Sequence, residues 1–197
     1  MSDYQSEWIS KALRGDQEAF SCLVETYQNP VYNLCYRMLN NANDAEDAAQ
    51  ETFLRAYNGL KRYDRQRSFS TWLLSIAAHY CIDQIRRRRF TVLSFEELPH
   101  FDPPDQEPGP EYSLVRKQKQ HQIQVLLDSL SPQDRAAVVL RYWYDLSYEE
   151  IGESLSLTVS AVKSRLHRSR RELANAWMEQ EPITQPVERK RHESPAF

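Results

Sequence analysis

At 197 residues, with 41% apolar and 27% charged residues, the chain has the composition of an ordinary globular protein of one or two domains. That excludes wholesale disorder, and no apolar run approaches the roughly 20 residues that a bilayer-spanning helix needs. The net charge of −3 offers no sign of a nucleic-acid partner, but it averages over segments of opposite sign.

Four glycines and few β-branched runs make helix the default reading, so the fold class is all-α. Cys22, Cys35 and Cys81 are odd in number, widely spaced and set among apolar residues, which predicts buried thiols in a reducing compartment. The first ten residues carry no basic-then-apolar secretory pattern. Both features predict a cytoplasmic protein with no membrane insertion.

Phe20, Leu23, Val24, Tyr27, Val31, Leu34, Cys35 and Met38 recur at intervals of three and four, which predicts a long amphipathic helix that Pro30 bends or interrupts. A second helix is expected over 41–57, capped by Asn43 or Asp44. The polar stretch 61–67 reads as a loop, and a third helix runs from about Ser70 to Arg89, ending on a basic run that suits the helix dipole. Between Thr91 and Tyr112 stand six acidic residues, several prolines and no Lys or Arg, the composition of a flexible, acidic, proline-rich linker. Helical patterning resumes at Ser113. Ser131 followed by Pro132 marks a new helix start, and helices over 133–143, 148–155 and 159–178 complete a second small domain. The predicted organisation is therefore a domain over 1–90, a linker over 91–112, a domain over 113–178 and a disordered tail over 179–197.

Residues 146–166 have the spacing of a helix-turn-helix. Ile151 and Leu155 face Val162 and Leu166, and Ser147 or Thr158 caps a helix. At 100° per residue, Val162, Leu166 and Leu173 fall within an arc of about 40°. Ser160, Ser164, His167 and Arg171 lie opposite, flanked by Lys163 and Arg168. Cations suit phosphates, and these cations with short hydrogen-bonding side chains suit base edges. The turn has Ser156 where such motifs usually have glycine.

Upstream, Asp44, Asp47, Glu51 and Arg55 share one helical face, and Ala45, Ala49, Thr52, Phe53 and Ala56 share another. An acidic stripe backed by small residues is either a partner site or a solvated face. This segment, 44–57, closely resembles the core-binding region of bacterial sigma-70 family factors of the extracytoplasmic-function (ECF) class. Residues 69–88 resemble that family's promoter −10 region, and residues 162–171 its −35 recognition helix.

The resemblance implies a transcription initiation factor that binds core RNA polymerase and promoter DNA and that meets an anti-sigma factor. It places Asp44, Asp47, Gln50, Glu51, Phe53 and Arg55 at the polymerase. It places His79, Tyr80, Asp83, Arg86 and Arg87 at −10 DNA, with Phe69, Trp72, Ile76 and Ala77 supporting the fold. The preceding loop would capture unpaired bases, with Tyr63, Phe69 and Tyr80 for stacking and Arg62, Arg65 and Arg67 for phosphates. Ser160, Lys163, Ser164, His167, Arg168 and Arg171 would meet the −35 element. The family usually has asparagine where His79 stands. That leaves −10 preference open, because neutral imidazole offers one donor and one acceptor in place of a bidentate amide. The acidic linker is either a spacer or a polyanion for a basic channel.

Two other readings are a free-standing helix-turn-helix regulator acting without polymerase, and an enzyme. The first leaves the two upstream motifs without a role. Against the second, His79 and Cys81 point about 200° apart on their helix, and no metal-ligand spacing, phosphate loop or nucleophile motif is present. No catalytic residue, metal or cofactor is predicted.

Overall fold

The computed structural model describes residues 3–94 and 112–180. Among the described residues are eight α-helices and no strand. They are α1 (Asp3–Ala12), α2 (Gln17–Leu39), α3 (Ala42–Gly59), α4 (Phe69–Ser94), α5 (Tyr112–Ser129), α6 (Pro132–Trp143), α7 (Tyr148–Leu155) and α8 (Val159–Gln180), with a short 3-10 turn over Leu60–Arg62. The all-helical expectation is met. The predicted linker and tail lie for the most part outside the described residues. At their edges α4 continues to Ser94, α5 opens at Tyr112 and α8 reaches Gln180.

In the first group of helices α2 packs against α1, α3 and α4. Leu23, Val31, Leu34, Cys35 and Met38 of α2 are buried, facing Ala45, Ala48, Ala49 and Ala56 of α3. Those alanines let the α3 backbone come close. Across the same core stand Phe69, Leu73, Ala77, Ala78 and Cys81 of α4. Burying one large apolar side chain is worth about 1.5–3 kcal/mol. Of the two outcomes expected at Pro30, a bend or an interruption, the interruption does not occur, and α2 runs through the proline as one helix. Pro30 removes one backbone donor, but Leu23 before it and Val31, Leu34, Cys35 and Met38 after it lie on one buried stripe that outweighs the loss. The α3 cap is Asn41, whose side chain accepts from the Asp44 amide at 2.9 Å, and neither Asn43 nor Asp44 fills that role. α1, short and polar, was not foreseen; Ile9 and Ala12 anchor it on the core. Cys35 and Cys81 are buried thiols as expected, whereas Cys22 is only partly covered. A hydrogen bond with Cys35, and then burial, push the Cys81 thiol pKa far up, which makes it inert at neutral pH.

In the second group Ser131 caps α6, with Pro132 at its first turn. Ser147 and Glu150 form a capping box on α7, the Ser147 amide donating to Glu150 Oε2 at 2.8 Å. Thr158 Oγ1 accepts from the Ala161 amide at 3.2 Å, so both cap residues named from the sequence serve. Ile151, Leu155, Val162 and Leu166 are buried together between α7 and α8. Ser156 ends α7 in the left-handed region, φ 55° and ψ 46°. Glycine tolerates that region without strain. Ser156→Gly is therefore expected to stabilise the protein by about 0.5–1 kcal/mol, read as a rise in the thermal midpoint. A fall would show that the serine hydroxyl, not the backbone, decides this turn.

The two groups also touch. α2 packs against α5 and α6, and α4 against α6 and α7.

Candidate nucleic-acid interface and acidic docking face

Helix α8 carries the first surface. Capping of α7, the Ser156 turn and the buried Val162–Leu166 stripe together fix which side of α8 meets solvent. Ser160, Lys163, Ser164, His167, Arg168 and Arg171 are all exposed on that side. An open cleft runs along it, lined by Tyr148 of α7 with Lys163, Ser164, His167, Arg168 and Arg170. Lys163 Nζ lies 5.7 Å from the Tyr148 ring centre and the Arg141 guanidinium 5.3 Å from it, within cation–π range. Arg165 belongs to the same basic run but turns inward, donating to Asp134 Oδ1 at 2.8 Å and Gln133 Oε1 at 3.0 Å. It ties α8 to the start of α6.

Helix α3 carries the second surface. Its alanines and Thr52 face the core, the Thr52 hydroxyl donating to the Ala48 carbonyl at 2.7 Å. Asp47, Gln50 and Arg55 are exposed; Asp44, Glu51 and Phe53 are half-buried. Arg55 Nε donates to Glu51 Oε1 at 2.7 Å while its guanidinium lies 4.8 Å from the Tyr80 ring centre. Asp44 pairs with Arg88 of α4. Hydrogen bonding to Asp44 pushes the Arg88 pKa above its usual value. One residue of the basic run is thus committed to the acidic face.

The third surface is the 61–68 loop and the α4 face that follows. Arg62, Arg65 and Arg67 are exposed, as are His79, Asp83, Arg86 and Arg87; Tyr80 is half-buried. His79 Nδ1 lies 2.8 Å from the Ser75 carbonyl, which can only accept, so Nδ1 carries the proton. In the neutral ring Nε2 is left as an acceptor. Tyr63 and Phe69 are withdrawn from the stacking role expected of them. Phe69 is 1% exposed and Tyr63 8%, their rings 5.5 Å apart, with Trp72 packed on both. The Tyr63 hydroxyl donates to the Arg67 carbonyl at 2.5 Å and so shapes the loop from beneath. Burial raises the Tyr63 phenol pKa.

The sigma-70 region 2 family matches residues 23–91, and the sigma-70 region 4 family matches residues 120–173. The ECF RNA polymerase sigma factor SigW of Bacillus subtilis is 39% identical over 172 residues, 84% of this chain and 92% of that protein. The chain belongs to the ECF class of sigma-70 factors. The ECF RNA polymerase sigma factor SigE of Mycolicibacterium smegmatis is 40% identical over 81% of this chain, which spans 63% of that longer protein. Among solved structures, the sigma factor RpoE of Bartonella quintana, crystallised with the anti-sigma factor NepR, superposes with a TM-score of 0.64. It covers 82% of this chain and 98% of its own, at 19% identity, a likeness of fold.

Within this sigma factor, sequence reasoning brought out the exposed faces of α3 and α8 but missed Tyr148 and the inward turn of Arg165. Tyr148 follows the capping Ser147 directly, so its place at the start of α7, beside the solvent face of α8, was a usable signal. Arg165 carried none, since its partners Gln133 and Asp134 lie more than thirty residues away. Among the described residues no group of His, Cys, Asp and Glu is placed to hold a metal, and no helix is long and apolar enough to cross a membrane.

Proposed function

We propose that this sigma factor binds core RNA polymerase through the α3 face, reads a −35 element with α8 and captures −10 DNA with the 61–68 loop and α4. One observation carries the reading. A helix-turn-helix whose exposed face is cationic and hydrogen-bonding shares a chain with an acid-faced, alanine-backed helix, each within its matching sigma-70 region. It acts in the cytoplasm and supplies binding energy rather than covalent chemistry. Opening the duplex needs each unstacked base to regain a few kcal/mol in new contacts. With Phe69 and Tyr63 in the core, those contacts come from Arg62, Arg65 and Arg67 on phosphates and from Tyr80 and His79 on the α4 surface. His79, with Nε2 as an acceptor, favours a base edge that offers an amino donor. An anti-sigma factor is the expected regulator, by likeness to the RpoE–NepR complex.

The test is transcription in vitro on fragmented genomic DNA with core polymerase, with and without this protein. New discrete start points sharing two upstream elements are the expected result. DNA binding without core and no transcripts would instead mark a free-standing regulator. On any promoter so found, Lys163→Ala is expected to change the base preferred at one −35 position by tenfold or more. Arg168→Ala should weaken all sequences alike and lower the salt slope by about one unit. A uniform loss in Lys163→Ala would remove Lys163 from base reading.

A further inference from the structure

Tyr148 links three helices through its ring. It is the first residue of α7, and the backbone on both sides of it is fixed. Before it, Arg141 Nη1 of α6 donates to the Leu146 carbonyl at 2.8 Å. After it, the Glu150 amide donates to Ser147 Oγ at 3.1 Å and completes the capping box. The ring is half-buried and packs on the core, which leaves it little freedom to turn. Two cations lie over it, the Arg141 guanidinium at 5.3 Å from the ring centre and Lys163 Nζ of α8 at 5.7 Å. The first is anchored at home and the second is exposed. A restraint therefore runs from α6 through the α7 ring to a single side chain of α8.

That side chain stands where restraint matters. Lys163 lies near the start of α8, which opens at Val159, and a recognition helix turns its N-terminal residues to the base edges. A lysine carries its charge on a flexible four-carbon stem, and an unrestrained one meets phosphates and bases alike. A carboxylate anchor would cancel the charge and repel the phosphates around it. An aromatic face does neither. It attracts the ammonium through its quadrupole, and the N–H donors that point away from the ring stay open. Among the described residues Lys163 makes no ion pair, whereas Arg165, two positions on, is neutralised by Asp134. The two basic residues have parted roles: Arg165 holds the fold, and Lys163 is held by an uncharged group that leaves it ready to bind. The cleft beside the ring opens along Lys163, Ser164 and His167, the residues assigned above to the −35 element.

We propose that Tyr148 is a positioning residue for −35 recognition: its ring, backed by Arg141, holds the Lys163 ammonium at one height along the groove, so that Lys163 reads a single base pair. Guanine, with acceptors at O6 and N7, is the edge that fits it best. The inference rests on the functional reading above, in which α8 enters the −35 element. Tyr148 itself reads no base. It turns a cation that binds any phosphate into one that discriminates, and adds a factor of about two to five, what one exposed cation–π contact is worth. The ring face does this and the hydroxyl takes no part, so phenylalanine serves in its place.

The experiment uses the full chain with core polymerase and a library of duplex promoters randomised across the −35 element, with the bound sequences counted. Lys163→Ala marks the position that Lys163 reads. Tyr148→Phe is expected to leave the base preference there as in wild type. Tyr148→Leu should lower it by about two- to fivefold, and should change nothing further at that position when Lys163→Ala is already present. Phenylalanines with one, two and three ring fluorines, encoded at position 148, drain the ring face of negative charge and barely alter its shape. The preference should fall with each fluorine, which a ring that merely fills space would not produce, and this series decides the matter if Tyr148→Leu fails to fold. A loss shared by all sequences in Tyr148→Phe would make the hydroxyl a phosphate donor and overturn the proposal. A base-specific loss in Lys163→Ala that neither Tyr148→Leu nor the fluorine series reproduces would overturn it too, and leave the functional reading standing. A uniform loss in Lys163→Ala would remove Lys163 from base reading, and the proposal would fall with it.

Discussion

Gly152→Val is expected to cost about 3 kcal/mol or more and to dismantle the helix-turn-helix proposed to read the −35 element, while leaving α1–α4 folded. Gly152 lies inside α7, three residues before its end, and its Cα faces the backbone of the turn that follows. A Cβ built there would stand 2.7 Å from the Leu157 carbonyl oxygen, closer than real Cβ atoms approach an oxygen. The same oxygen-bearing turn is stitched to α7 by the Leu157 amide, which donates to the Gly152 carbonyl at 2.8 Å. Even alanine would force the turn to shift, because the atom met at 2.7 Å is a backbone carbonyl oxygen and not the end of a flexible side chain. Valine adds two methyls to a space where its first carbon already collides with backbone. The turn must then open, which pulls Val162 and Leu166 out of register with Ile151 and Leu155. In thermal melting the expected fall is roughly 6–12 °C for a chain of this size, together with loss of −35-dependent transcription. Binding to core polymerase should persist, because α3 is remote from the lesion. A midpoint within 1 °C of wild type would mean that the close approach of α7 and the turn is not what holds the two helices together.

This glycine also shows where sequence reading stops. The helix-turn-helix was legible because its signals are local: apolar residues three and four apart, Ser147 with Glu150, Thr158 at a helix start. Ser156 reads as a turn residue in place of the usual glycine, whereas the glycine that governs packing stands four positions earlier and carries no local signal. The acidic stripe of α3 was equally local. Contacts across the fold were not legible. Pro30 reads as a bend or a break, and the buried stripe on both sides of it keeps α2 in one piece. Phe69 and Tyr63 read as stacking rings because aromatics in a basic loop suggest bases; their burial against Trp72 depends on how α4 meets the loop. Gln124, Arg135 and Tyr144 carry no pattern at all, since each reaches a backbone carbonyl some 85 to 115 positions away. Periodicity finds the side a helix buries; it does not find a donor's distant acceptor.

Asp47→Lys is expected to weaken binding to core polymerase about a hundredfold without lowering the melting temperature. The acids of α3 are not equivalent. Asp44 is already paired with Arg88, and Glu51 holds Arg55, which in turn covers the Tyr80 ring. Asp47 is exposed on the same face between them. A partner surface rich in Lys or Arg gains most from the carboxylate that is least engaged at home, and close charge pairs at interfaces couple by about 1.5–7 kcal/mol. Reversing the sign replaces attraction with repulsion at the centre of the stripe, while an exposed helix position tolerates lysine with little change in stability. Glu25→Lys, an equally exposed acid on α2, serves as the control and should bind core like wild type. Anisotropy titration of labelled protein with core polymerase at two salt concentrations separates the cases. If Asp47→Lys and Glu25→Lys weaken binding equally, the effect is net charge, and the α3 stripe is a solvated face. A loss confined to Asp47→Lys and largest at low salt makes α3 the docking helix. The Arg88–Asp44 pair then has a consequence for promoter capture, because a polymerase cation that takes over Asp44 frees Arg88 for −10 phosphates.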